Sequence, residues 1–207
     1  MAPVDLVLAS ASPARLALLR AAGIEPTVVV SDVDEDALTA EIGADEPEVL
    51  VAALARAKAE AVAARLEPTV ARTVVLGCDS LFTIDGQTWG KPESPAAATA
   101  RIRAMREHEG ILRTGHHLLD ARDGRFVHRV AETVVRFGPM TDGEVDAYVA
   151  TGEPLRVAGS FTLDGRSAPW VEGVVGDHTN VVGLSLPTLR GLLGRLEISI
   201  VDLWDTP

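Results

Sequence analysis

The sequence predicts an α/β fold, and three observations predict it. A strongly apolar run, VDLVLA (residues 4–9), leads through a short polar turn into a helical segment. A second apolar run, PTVVVS (residues 26–31), follows after Gly23, completing a strand–helix–strand unit. A long segment rich in Ala, Leu, Lys and Glu, residues 47–65, then precedes another apolar strand, TVVLGC (residues 73–78).

Each element has a local reason. Residues 13–22 form a helix because Ser12 is a good N-cap, Pro13 suits the first helical position, and Gly23 closes the end. The acidic stretch DVDEDALTAEIGADEPE holds a short helix. Residues 80–84 (SLFTI) read as a strand separate from 73–78, leaving Asp79 and Ser80 at a strand end. Asp85-Gly86 is a hairpin turn with Trp89 on the return strand. Residues 95–107 are helical, with Pro95 in the first turn. Residues 111–120 and 126–137 flank an ARDGR turn and suit an antiparallel pair at an edge or in a second lobe. Thr141 and Glu144 form a capping box for a helix over 141–150. The Gly-rich stretch after it allows only short strands, and Pro187 begins a last helix. No repeat, low-complexity tract or flexible linker appears, so residues 1–207 read as one domain of two fused lobes.

Composition excludes some functions. The 207 residues include 30 acidic and 19 basic side chains, a net charge of −11, which disfavours nucleic acid and anionic membrane surfaces as partners. Residues 4–9 are too short for a signal segment or a membrane span, and the one cysteine, Cys78, can form no internal disulfide. The expectation is a cytoplasmic protein. There is no P-loop pattern, no dinucleotide glycine pattern and no nucleophile elbow. His116 and His117, adjacent on a strand, point different ways and do not read as a zinc pair.

Four stretches remain. SASPAR places Ser10 and Arg15 beside the free N–H groups of a helix start, a setting for an anion. SDVDED supplies Asp34 and Glu35, LARAKAEA supplies Lys58, and GCDSLFTIDGQTWGKP supplies Asp79, Ser80 and Lys91. Arg15, Lys58 and Lys91 could offset the charge of a triphosphate. Glu35 and Asp79 are hard oxygen donors suited to Mg²⁺ or Mn²⁺, and a carboxylate beside the metal could deprotonate a water.

LASASPARLALLR, SDVDED, LARAKA, GCDSLFTIDGQTWGKP and AGSFTLDG…NVVGLSLPTL occur in the order found in the Maf family of septum-formation-inhibitor-like nucleoside triphosphate pyrophosphatases, and the chain resembles that family, in its actinobacterial type, from about residue 4 to residue 196. The resemblance implies an elongated mixed sheet with flanking helices, two lobes around a central cleft, and a homodimer. It implies hydrolysis of a nucleoside triphosphate between the α and β phosphates with a divalent metal. Asp79 matches the family's proton acceptor, and Ser10, Ser12, Arg15, Glu35, Lys58 and Lys91 match its phosphate- and metal-binding positions. The base-selecting positions are Ala14, Ser80 and Asp164. Members preferring dTTP and UTP have arginine, threonine and glutamine there, and members preferring 7-methyl-GTP have tryptophan at the first. The alternative is a non-catalytic nucleotide-binding regulator of septum formation.

Overall fold

A computed structural model describes residues 4–42, 46–67 and 69–204. It is α/β. The strands are β1 (Val4–Leu8), β2 (Thr27–Val28), β3 (Arg72–Ile84), β4 (Gln87–Trp89), β5 (Glu109–Asp120), β6 (Phe126–Phe137) and β7 (Val171–Val175). Among the described residues they make one mixed sheet in the order β2-β1-β3-β5-β6-β7, with β4 paired to β3. β1 runs parallel to both β2 and β3, whereas β4 and β7 pair antiparallel to their neighbours. The longer helices are α1 (Pro13–Ala21), α2 (Glu35–Ile42), α3 (Pro47–Ala63), α4 (Pro95–Met105), α5 (Asp142–Ala150) and, after the short α6 (His178–Val182), α7 (Leu186–Arg195).

Three sequence expectations need correction. The second strand shrinks from residues 26–31 to Thr27–Val28, because only these two residues pair in register with β1; Val28 and Val30 are exposed, while Val29 packs against the core. The two strands expected at 73–78 and 80–84 are one strand of 13 residues. Asp79 and Ser80 therefore sit inside β3 and not at its mouth, because the polar pair interrupts the apolar run without interrupting the backbone ladder. β5 and β6 do not form an edge pair. Each lies between two other strands.

The local signals at the helix starts act as expected. Ser12, Ser94 and Ser185 each accept a backbone N–H as N-caps, and Thr141 with Glu144 forms the capping box. Asp85 and Gly86, both at positive φ, make the tight turn of the β3–β4 hairpin.

The chain divides into two compact units. The first comprises Met1–Asp79, Thr114–Ala131 and Gly183–Pro207; the second comprises Ser80–Arg113 and Glu132–Val182. In the first, alternating strand residues feed two cores. Leu6, Leu8, Val74 and Leu76 meet Leu19 of α1 and Leu189, Leu192 and Leu193 of α7. Val7, Val75 and Ala9 meet Ala59 and Val62 of α3. Burial on both faces is why these parallel strands read as continuous apolar runs. The second unit centres on Phe82, whose ring meets Phe137 edge-on at 5.8 Å and Phe161 at 5.0 Å.

The two adjacent histidines diverge. His116 Nε2 accepts the Ser185 N–H at 2.9 Å, at the start of α7. His117 stacks on Phe126 at 5.0 Å, and its buried Nε2 has no hydrogen-bond partner among the described residues. Burial, helped by His128 and Arg56 and opposed by Glu60, holds its pKa down at about 4. A depressed folded value favours the fold above the unfolded pKa of about 6.5, and that contribution is lost as pH falls towards about 4. His117→Phe keeps the ring stack and cannot protonate. Its melting temperature should therefore fall less than that of the parent between pH 7 and pH 5, a relative gain of about 1–2 kcal/mol. Parallel melting curves for the two proteins would remove this role for His117.

Candidate active site

The site grows from a close approach of α3 to the sheet. Gly77 of β3 and Gly115 of β5 face this helix. A Cβ on Gly77 would lie 2.1 Å from the Ala55 carbonyl oxygen, and one on Gly115 would lie 2.1 Å from that of Val51. With small residues at Ala55 and Ala59, the helix backbone rests on the strands, and Lys58 on the same helix is carried down with it.

Lys58 is only 7 % exposed and meets two carboxylates. Its Nζ donates to Asp79 Oδ1 at 2.6 Å and lies 2.8 Å from Glu35 Oε1. Asp79 is 8 % exposed, while the Glu35 side chain is about half exposed, so the cluster is buried at Asp79 and open at Glu35. Asp34 takes a different role. Its Oδ1 accepts the Ala37 N–H at 2.9 Å, which places Glu35 at the start of α2. Burial raises the Asp79 pKa above the ordinary carboxylate range, outweighing the cations Lys58 and Arg15. Burial likewise pushes the neighbouring Cys78 thiol up to about 11, which makes it an inert core group.

The SASPAR turn lies in the same unit. Ser12 Oγ accepts the Arg15 N–H at 3.4 Å as the cap of α1. Ser10 Oγ accepts two donors, the Ser12 N–H at 3.2 Å and Arg15 Nη1 at 3.0 Å. The Arg15 guanidinium is buried. Its Nε donates to the Gly183 carbonyl at 2.7 Å and its Nη1 also to the Cys78 carbonyl at 2.9 Å. Ser10, Arg15 and the Asp79 peptide are thus joined by hydrogen bonds, and Lys58 and Glu35 join them through Asp79.

The other sequence-selected residues are placed separately. Ala14 is half-buried in the first turn of α1, and Ser80 is half-buried on β3 next to Asp79. Lys91 is exposed after β4 in the second unit. Asp164, also in that unit, is exposed and accepts a hydrogen bond from the Thr162 hydroxyl within its own turn. Gly77, Gly115 and Gly183 were not selected from the sequence. An isolated glycine within the apolar TVVLGC run was a usable signal for Gly77, since it marks a close backbone approach.

A family model described as "Maf-like protein" matches residues 5–196. A Streptomyces coelicolor protein named "Nucleoside triphosphate pyrophosphatase" is 57% identical over 199 residues, covering 96% of this chain and 94% of the relative. A Streptomyces avermitilis protein of the same name is 56% identical with the same coverage. One from Salinispora tropica, again of that name, is 53% identical over 203 residues, covering 98% and 88%.

Proposed function

Because the chain belongs to the Maf-like protein family, in its actinobacterial type, we propose that it is a nucleoside triphosphate pyrophosphatase whose general base is Asp79. The observation that carries this reading is the buried Asp79–Lys58–Glu35 cluster, bonded through the Cys78–Asp79 peptide and Arg15 to the turn at Ser10.

In the proposed reaction a water oxygen attacks phosphorus at the α–β phosphoanhydride and Asp79 accepts its proton. The bridging P–O bond breaks, releasing a nucleoside monophosphate and pyrophosphate. A carboxylate with a raised pKa suits this task, because proton transfer is best driven when the base titrates nearer the working pH. Lys58 holds the carboxylate in place through its 2.6 Å hydrogen bond. Ser10, Ser12 and Lys91 are the proposed phosphate contacts. Ala14, Ser80 and Asp164 are the proposed base-selecting positions.

The donor set fits a divalent metal. Glu35 and Asp79 are hard oxygen ligands that already converge on one cationic group, the Lys58 ammonium. Mg²⁺ is commonly held by one or two carboxylates together with substrate phosphates and water. When bound, such an ion supplies charge neutralisation at the phosphates.

The test is product identity. Purified protein with Mg²⁺ or Mn²⁺ should release pyrophosphate and monophosphate from at least one common or modified nucleoside triphosphate, and EDTA should stop it. Orthophosphate as the product would exclude the reading. Nucleotide binding with no turnover would support a binding regulator of septum formation instead.

A further inference from the structure

We infer that Arg15 is a positioning residue, which aligns Asp79 and Ser10 rather than neutralising the triphosphate. This deepens the pyrophosphatase reading and rests on it. Three observations carry it. Arg15 is 8 % exposed, and the hydrogen bonds of its guanidinium are buried inside the protein. Two of its three identified acceptors are backbone carbonyls, those of Gly183 at 2.7 Å and Cys78 at 2.9 Å, and the third is Ser10 Oγ at 3.0 Å. Those acceptors belong to three separate chain segments, which the planar fork of one arginine holds in a fixed relation.

The consequences follow from peptide and hydroxyl chemistry. The Cys78 carbonyl shares a planar peptide with the Asp79 nitrogen, so fixing that oxygen fixes the backbone from which the carboxylate projects. At Ser10, the Arg15 Nη1–H and the Ser12 N–H both donate into one hydroxyl oxygen. Both lone pairs are then in use, and the hydroxyl can only donate in any further hydrogen bond. Arg15 therefore sets Ser10 as a donor, the polarity that a phosphate oxygen requires and a metal ion does not. A lysine at this position is a point charge that cannot serve three acceptors in fork geometry.

The test compares Arg15→Lys and Arg15→Ala with the parent. Leu189→Ala, in the α7 core, serves as a control for lost stability alone. Steady-state turnover is measured together with affinity for a non-hydrolysable α,β-imido triphosphate and the rate at which Ellman's reagent labels Cys78, the one thiol in the chain. A positioning role gives a fall in kcat of about 100-fold or more in both Arg15 variants, in the range expected when a catalytic group is misplaced. Affinity for the analogue falls far less than turnover, by about tenfold at most, because one hydrogen bond at Ser10 is disturbed while the other ground-state contacts remain. Cys78 labelling accelerates more than in Leu189→Ala, and millimolar guanidinium restores part of the kcat of Arg15→Ala.

Two results would overturn the inference. Analogue affinity falling in step with turnover makes Arg15 a phosphate ligand. Near-parental turnover and labelling in Arg15→Lys shows that the fork is not needed, and that variant decides the matter if Arg15→Ala does not fold. A parent protein without turnover counts against the pyrophosphatase reading alone, since analogue affinity and Cys78 labelling still report on Arg15.

Discussion

Asp79→Asn is expected to stay folded and to bind nucleotide while losing turnover by about 10³-fold or more, the upper range for removing a general base. The amide is the same size as the carboxylate, and its oxygen can still accept the Lys58 ammonium, which lies 2.6 Å from Oδ1 in the parent. What it cannot do is take a proton from water. The stability effect has a definite sign. Burial raises the Asp79 pKa in the fold, so its carboxyl stabilises the fold below its unfolded pKa of about 3.9, and that contribution is lost as pH rises through the folded value. Where the Asp79 carboxyl is ionised it is a buried carboxylate, and the neutral amide removes that cost. Without metal, the Asn variant should therefore melt no lower than the parent at pH 8, and its relative advantage should shrink on acidification. Turnover within tenfold of the parent would transfer the base role to another group.

Lys58→Ala should be the more damaging change to the fold. It removes the cation that, among the described residues, pairs with both Glu35 and Asp79, at 2.8 and 2.6 Å. An ionised Asp79 is then left buried without its closest positive partner, a situation that costs about 3–5 kcal/mol when the pair is fully buried. Glu35 is half exposed and can turn to water, so the lower end of that range is expected. Turnover should fall as well, because the ammonium no longer holds the base. The diagnostic is non-additivity. In Lys58→Ala/Asp79→Asn the orphaned charge is gone, so the double variant should be more stable than Lys58→Ala alone. Denaturant unfolding of the four proteins measures this directly. Equal stability of the double variant and Lys58→Ala would mean that the buried charge is not the source of the loss.

Much of this site was legible from side-chain types. The cap at Ser12, the lysine on a strong helix and the acidic residues near it all sit in segments whose local chemistry is self-contained. Other parts were not legible. Asp79 and Ser80 read as a strand end, because a polar pair after an apolar run normally ends a strand. Here the carboxylate is met inside the fold by a lysine 21 residues earlier. Arg15 read as a phosphate contact because its type and place suit an anion. Two of its three identified acceptors are the carbonyls of Cys78 and Gly183, and backbone carbonyls carry no residue signature from which that positioning could be read. The Gly77 and Gly115 contacts with α3 were hidden for a related reason: a glycine in a strand shows that something comes close, but not what.

The sequence by itself determined the α/β class, the helix starts and turns, and the residue types available for phosphate, metal and proton chemistry. Each of these follows from interactions within a few residues along the chain: hydroxyl caps, proline at helix starts, positive-φ turns and apolar periodicity. Only the tertiary structure decided that β3 continues through Asp79, that β5 and β6 are interior strands, and that Lys58 lies between Glu35 and Asp79. Those outcomes depend on which distant segments share one buried volume. There, packing without a Cβ at Gly77 and Gly115 and the need to pair every buried charge fix what local propensity leaves open.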